Sequence, residues 1–290
     1  MYDPSIIAAS IINGLMTGSV YSLVALGLTL IYGVLHIINF AHGSLLMLCM
    51  YGVWFLYAQA GIDPYLALPL VAAGAYCLGY GLQRSVIGKT SHGRDEIILL
   101  VTLGVSIIIE NIALFVFTAN ERVVQVPYDI DGIDLGITFL VIPQIAAFVA
   151  SLAITAALWL FIARTDIGKA IRAVAKERQG ARLVGVNVEH IFAVSFGIGT
   201  ACLGAAACLL APTFPISPQI GYIFVLIAFT VVVLGGMGSF VGALIGGLII
   251  GVTESLGGLF FGESLGKLGI SLIFILILLF RPTGLFGQRT

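Results

Sequence analysis

Two carboxylates, Glu110 and Glu254, stand inside long apolar runs of this sequence. A charge held in an apolar medium is costly, so such groups face a protein interior or a wet cavity. There a carboxylate can bind an ammonium group, serve an ion path, or tie neighbouring helices together. Asn13, Asn111 and Thr253 are placed to share such a network. Asn39, His42 and Gly43 form a second polar group. Gly43 lets another backbone come close. Asn39 and His42 could cap stray helix ends or touch a solute, and His36 with His42 is a weak case for a metal. Gly235, Gly236 and Gly238 form a third group. They mark either a tight inter-helix turn or a helix break whose exposed ends and carbonyls could meet a solute.

Other chemistries find no support. Gly88-Lys89-Thr90 ends like a phosphate-binding loop, but Gln83 stands where that loop requires glycine. No nucleophile elbow, zinc motif or usable carboxylate pair occurs. Net charge is −1, and no nucleic-acid motif appears. Cys49, Cys77, Cys202 and Cys208 lie in apolar runs and read as small packing residues. The expectation is a non-enzyme with no catalytic residue, metal or cofactor. Energy for any work must come from a partner protein or an ion gradient.

The elements that must hold these residues are membrane helices. Hydrophobic residues make up 60% and charged residues 9% of the chain, with a mean hydropathy of +1.13. Soluble domains carry roughly 25% charged residues. A span needs about 20 apolar residues; candidate runs recur at 6–32, 44–60, 65–82, 96–118, 138–163, 190–211, 239–256 and 268–280, with a further short one at 222–234 that could be tilted, broken or re-entrant. In lipid the backbone must satisfy itself, and these runs lack the alternation of a barrel strand, so they are helices. The fold expected is an all-α polytopic transmembrane bundle of about 8–9 spans, forming one domain over 1–290. The N-terminus lacks the basic region of a signal peptide, so the first run is expected to be retained as a span. Arg84, Lys89 and Arg94 share one connection, Arg164 to Arg182 another, and Arg281 and Arg289 the tail. With nine spans all three fall on one side, the cytoplasm, leaving the N-terminus out and the C-terminus in. Asp3, Asp63, Glu121, Asp129, Asp131, Asp134 and Glu263 then lie outside.

The polar segment 164–189 carries the most information. Thr165 or Asp166 can cap a helix. Ile167, Ile171, Val174 and Ala175 recur at helical spacing, with Lys169, Arg172, Lys176 and Arg178 on the other face. Gly180 and Gly185 can end or bend it. One or two short amphipathic helices are expected, either resting on headgroups or docking a cytoplasmic partner. Bulky lipid anchors are replaced by Ala, Gly, Val and Ile, which permit close approach of another surface.

This segment resembles the coupling loop of ABC-importer permeases, with Glu177, Ala181 and Gly185 at the matching positions and Gly180 in place of an alanine. The run Gly18 to Gly33, leading into Ile38-Asn39-Phe40-Ala41-His42-Gly43-Ser44, is similar to the signature of the branched-chain amino-acid permease family. So are Leu234 to Ala243 and Arg281 to Gly287. The likeness covers nearly the whole chain; Cys49-Met50 departs from the Gly-Ala usual there. It implies a permease subunit in a bacterial inner membrane, forming half of the pathway for branched-chain amino acids or for urea, amides or aromatic acids. It implies a second permease, two cytoplasmic ATPase subunits moving Asp166, Ala170, Ala175, Glu177, Ala181 and Gly185, and an external solute-binding protein meeting the outer loops, including 211–221. Residues set in the pathway would be Asn39, His42, Gly43, Glu110, Gly235, Gly236, Gly238 and Glu254. Two other classes compete: an ion-coupled secondary transporter using Glu110 and Glu254, and a channel or scaffold.

Overall fold

The computed structural model describes residues 3–90, 95–134, 136, 138–280 and 284–286. Arg94, Arg281 and Arg289 lie outside the described residues. The architecture is an all-α helical bundle. Its helices are α1 (Pro4–Leu35), α2 (His42–Ala60), α3 (Pro64–Leu82), α4 (Gly88–Thr90), α5 (Asp95–Phe117), α6 (Ile142–Arg164), α7 (Asp166–Lys176), α8 (Arg178–Leu183), α9 (Val188–Leu210), α10 (Ile220–Gly235), α11 (Phe240–Phe261) and α12 (Glu263–Phe280). A π-helical turn, Gln83–Ile87, links α3 to α4. A small antiparallel hairpin pairs β1 (Gly132–Asp134) with β2 (Phe139–Val141). Thr138–Val141, expected to begin a span, therefore belongs to this hairpin and its approach. Among the described residues, seven helices are long and apolar enough to cross a membrane, and α10 is shorter.

Helices α1 and α9 form the core and are buried over most of their length. Asp3 caps α1 through its carboxylate, which accepts from the Ser5 amide, and Pro4 supplies a first-turn residue that needs no amide partner. Gly18 and Gly247 let α1 and α11 meet backbone to backbone: a Cβ on Gly18 would stand 2.6 Å from the Gly247 carbonyl oxygen. Close approach through small residues is the usual route to tight helix contact in lipid. Ser22 bridges the same seam, donating to the Leu244 carbonyl at 2.8 Å. The glycine spacings of the first and eleventh helices are thus used inside the subunit.

The ends of the bundle sort into two sets. At one end, the Arg178 guanidinium donates to the Leu35 carbonyl at 2.6 Å, Gly238 packs against Gly33, and the amides of Leu285 and Phe286 donate to Leu234 and Gly235. At the other, Tyr128 donates to Asp63 at 2.5 Å and Tyr65 to the Pro143 carbonyl at 3.0 Å. Arg122 pairs its backbone with Ile216 and lies over the Trp54 ring at 5.0 Å. Arg84, Lys89, Lys176, Arg178 and Arg182 gather at the first end, around a cavity of about 820 Å³. The acidic Asp63, Asp129, Asp131 and Asp134 belong to the second.

Candidate functional site

Two helices begin inside the bundle rather than at its surface. After α1 ends at Leu35, His36 takes a left-handed φ of 56°, and the chain turns back along α1 as an irregular segment. Asn39, Ala41 and His42 on it are almost wholly buried. The His42 Nε2 lies 3.0 Å from the Val24 carbonyl oxygen. Val24 is about 16 Å back along α1 from its end, so α2 starts well inside the protein. His42 Nε2 therefore carries the proton and donates. Sequence reasoning places Asn39 and His42 at the mouth of the second span; the structure places them deep. An apolar segment such as His36–Ala41 reads the same in hydropathy whether it runs across the membrane or back into it.

Helix α10 begins at a similar depth. Its 16 residues reach about 24 Å, and its first turn lies directly on that of α2. A Cβ on Gly221 would stand 2.7 Å from the Gly43 carbonyl oxygen, and one on Gly43 would overlap the Gly221 carbonyl. Neither helix start is capped by a side chain. This contact explains Gly43 without any solute: two backbones occupy the space that a side chain would need.

Helix α5 brings Glu110 to the same junction. Its Oε1 accepts from the hydroxyls of Ser44 at 2.7 Å and Ser106 at 3.0 Å, and its Oε2 accepts from the Tyr222 hydroxyl. The two serine oxygens are 2.6 Å apart. Ser106 sits one turn before Glu110 on the same helix, a spacing that places side chains together. Ser44 and Tyr222 arrive from α2 and α10. Glu110 is half-buried and Tyr222 is 56% exposed. Phe40, 40% exposed, continues this face; its amide donates to Thr102 on α5 at 3.3 Å, and its ring packs on Phe229 of α10 at 5.8 Å.

The other expected pathway residues lie elsewhere. Gly235, Gly236 and Gly238 are about 21 Å from Gly221 along α10. They form a tight turn, with positive φ at Gly236 and Gly238 and Gly235 against Gly242. The carbonyls of Leu234 and Gly235 accept from the tail amides of Leu285 and Phe286, so these helix-end acceptors are already used. Glu254 lies beside the Tyr21 hydroxyl on α1. Asn111 and Thr253 bond carbonyls of their own helices rather than joining a network with the carboxylates. The residues missed by sequence reasoning are Ser44, Ser106, Tyr222 and Gly221. Only the Ser106–Glu110 spacing was a local signal for them.

The segment after α6 forms a separate arm. The Thr165 hydroxyl accepts from the Gly168 amide at 3.1 Å and starts α7. Ile171 and Val174 are buried against the bundle while Asp166, Lys169 and Lys176 face out, and Lys169 pairs with Asp166 at 2.9 Å. The break falls at Glu177, not at Gly180. Glu177 is extended, with φ −155° and ψ 105°, and its carboxylate accepts from the Gln179 amide to start α8. Gly180 lies within α8, and Gly185, at φ 87°, ends the arm. Ala181 is buried, while Ala170 and Ala175 are half-buried. The exposed apolar residues are Ile167, Leu183 at 89% and Val184 at 78%. Arg172 donates to the carbonyls of Ile162 and Ala163, occupying acceptors that the end of α6 leaves open. Arg178, at the α7–α8 joint, reaches the Leu35 carbonyl and lies over the Phe192 ring at 5.2 Å. The arm thus touches the end of α1 next to the segment that leads to Asn39 and His42.

Comparison with known proteins gives consistent matches. The family model described as the permease component of the branched-chain amino acid transport system matches residues 10–280. The high-affinity branched-chain amino acid transport system permease protein BraD of Pseudomonas aeruginosa is 35% identical over 294 residues, covering 96% of this chain and 95% of that protein. LivH of Salmonella typhimurium, of the same description, is 34% identical over 297 residues, covering 95% and 94%. A probable branched-chain amino acid transport permease protein LivH of Methanocaldococcus jannaschii is 29% identical over 279 residues, covering 91% and 88%.

Proposed function

This chain belongs to the branched-chain amino acid transport permease family, and from that premise we propose that it carries branched-chain amino acids or closely related small solutes inward across a bacterial inner membrane. It is the membrane-spanning permease subunit of an ATP-driven importer. In this reading it supplies half of the pathway and a homologous permease supplies the rest. Two cytoplasmic ATPase subunits hydrolyse ATP, and an external binding protein delivers the solute. Nine crossings, with the N-terminus outside and the C-terminus inside, put the cationic end of the bundle in the cytoplasm.

The observation that carries the coupling role is the arm from Thr165 to Gly185. It shows bare apolar side chains to the side where water should be, at Ile167, Leu183 and Val184. Adjacent exposed apolar side chains rimmed by charge, as at Leu183 and Val184, fit a binding surface. Asp166, Ala170, Ala175, Glu177, Ala181 and Gly185 serve this surface in different ways. Ala181 packs the arm onto the bundle, Glu177 and Gly185 set its two bends, and Asp166 and the half-buried alanines border the contact. The cavity behind the arm leaves it room to move as a body. Arg178 then passes that movement to the end of α1 and the segment that starts α2.

The test is uptake of labelled leucine into proteoliposomes holding this chain with its partner permease and ATPase subunits, with loaded binding protein outside. ATP inside should drive uptake, and collapsing proton and sodium gradients should leave it intact. Uptake that follows an ion gradient without ATP would overturn the reading. Arg178→Ala should lower uptake by about tenfold, the effect of losing a charged hydrogen bond of 1.5 kcal/mol or more. ATP hydrolysis by the same preparation should fall less, so that more ATP is spent per leucine.

A further inference from the structure

We infer that Glu110, held by Ser44, Ser106 and Tyr222, recognises the ammonium group of the transported solute. The inference rests on the importer reading and assigns the solute's charged amine to one side chain. The first observation is charge. Glu110 receives three hydroxyl contacts and all are neutral. The ion pair between Lys169 and Asp166 lies at the far end of the bundle and does not involve Glu110. A carboxylate within a membrane span usually meets a cation or lines a wet cavity. Among the described residues, three hydroxyl donors hold the carboxylate in place and no cation is paired with it.

The second observation is access. Glu110 is half-buried and its Tyr222 partner is 56% exposed. This carboxylate opens on a face shared by α2, α5 and α10, and lipid tails on that face would leave it unsolvated. A watery pathway between two permeases would not. The third is position. Glu110 lies about 22 Å along α5 from its start, at the junction where α2 and α10 both begin inside the bundle. A solute crossing on this face must pass the carboxylate. Phe40 and Phe229 continue the same face and offer apolar surface to a branched side chain. A primary ammonium carries three donors in a compact charge. It can take a lone pair of each carboxylate oxygen that the hydroxyls leave open.

Glu110→Gln tests the assignment because it keeps the volume and one acceptor for the serine hydroxyls while removing the charge. In the reconstituted importer it should cut leucine uptake by about tenfold or more, the size of a lost charge-assisted contact. ATP hydrolysis stimulated by loaded binding protein should persist, as should the thermal unfolding midpoint. Glu110→Asp, which keeps the charge, should recover part of the uptake. Wild-type uptake by the glutamine variant would overturn the assignment. So would loss of uptake, ATP hydrolysis and thermal midpoint together in both variants, which would mark a structural role. A wild-type importer that shows no ATP-driven leucine uptake would instead overturn the reading on which the assignment rests.

Discussion

Replacing Gly43 with alanine should reduce leucine uptake on the order of a hundredfold, the scale associated with a displacement of about 1 Å at a working site. The added methyl would overlap the Gly221 carbonyl oxygen and meet the Val225 Cβ at 2.9 Å. The first obstacle is backbone, so it cannot rotate away, and α2 and α10 must separate. Ser44 is the next residue of α2 and Tyr222 the next after Gly221. Separation therefore pulls two of the three hydroxyls away from Glu110. Overpacking should also destabilise the purified subunit by about 1–3 kcal/mol, seen as a lower thermal unfolding midpoint. Gly52 is the control on the same helix: nothing lies within 4 Å of its added Cβ. Gly52→Ala should leave uptake unchanged and shift stability by no more than about 1 kcal/mol, upward if at all. A Gly43→Ala protein with normal uptake would show that the α2–α10 contact does not position the site.

The second large effect belongs to the arm. Leu183→Asp should weaken assembly with the ATPase subunit by about 2–4 kcal/mol, the loss typical of an apolar anchor at the centre of an interface. At roughly 1.4 kcal/mol per tenfold, that is a loss of thirtyfold or more in affinity. Leu183 is 89% exposed in the isolated chain, so the substitution removes little internal packing and the subunit should unfold at its usual temperature. Co-purification of the ATPase and ATP-driven uptake should fall together. Arg182→Ala, beside it, removes charge at the rim of the same surface and should cost much less, within about 1 kcal/mol. A Leu183→Asp subunit that still co-purifies with its ATPase and transports normally would move the coupling contact elsewhere.

Much of this fold was legible in the sequence because lipid imposes a simple rule on the backbone. The apolar runs at 44–60, 65–82 and 96–118 correspond closely to α2, α3 and α5. The run expected to stop at Leu256 continues to Phe261, with Gly257 and Gly258 helical and Gly257 packed against Gly266 of α12. Depth was not legible. Hydropathy reports how long a segment stays apolar, and it cannot tell that α2 and α10 start against each other inside the bundle. The fitting of Gly43 to Gly221 and of Tyr222 to Glu110 are contacts between residues far apart in the chain, so no local spacing encodes them. Glu110 itself could be singled out because a carboxylate in an apolar run is conspicuous; of its hydroxyl partners only Ser106, one turn earlier on the same helix, left a local signal. In the arm, the amphipathic pattern and a cap at Thr165 or Asp166 were readable, as was an end at Gly185, whereas Gly180, the other expected break, stays helical. The bend falls at Glu177, whose carboxylate can open a new helix by accepting the Gln179 amide. The cysteines behave as expected at Cys202 and Cys208, which are buried, while Cys77 is exposed.

A single cysteine at Leu183, with the four native cysteines replaced, gives the most direct measurement. If the arm is the lever by which ATP hydrolysis reaches the pathway, a membrane-impermeant maleimide should label this cysteine only from the cytoplasmic side. A short bifunctional reagent should then join it to the ATPase subunit in the assembled importer, and the joined complex should stop transporting. Labelling of that cysteine from the outer side alone would place the arm where no ATPase can reach it and contradict the mechanism.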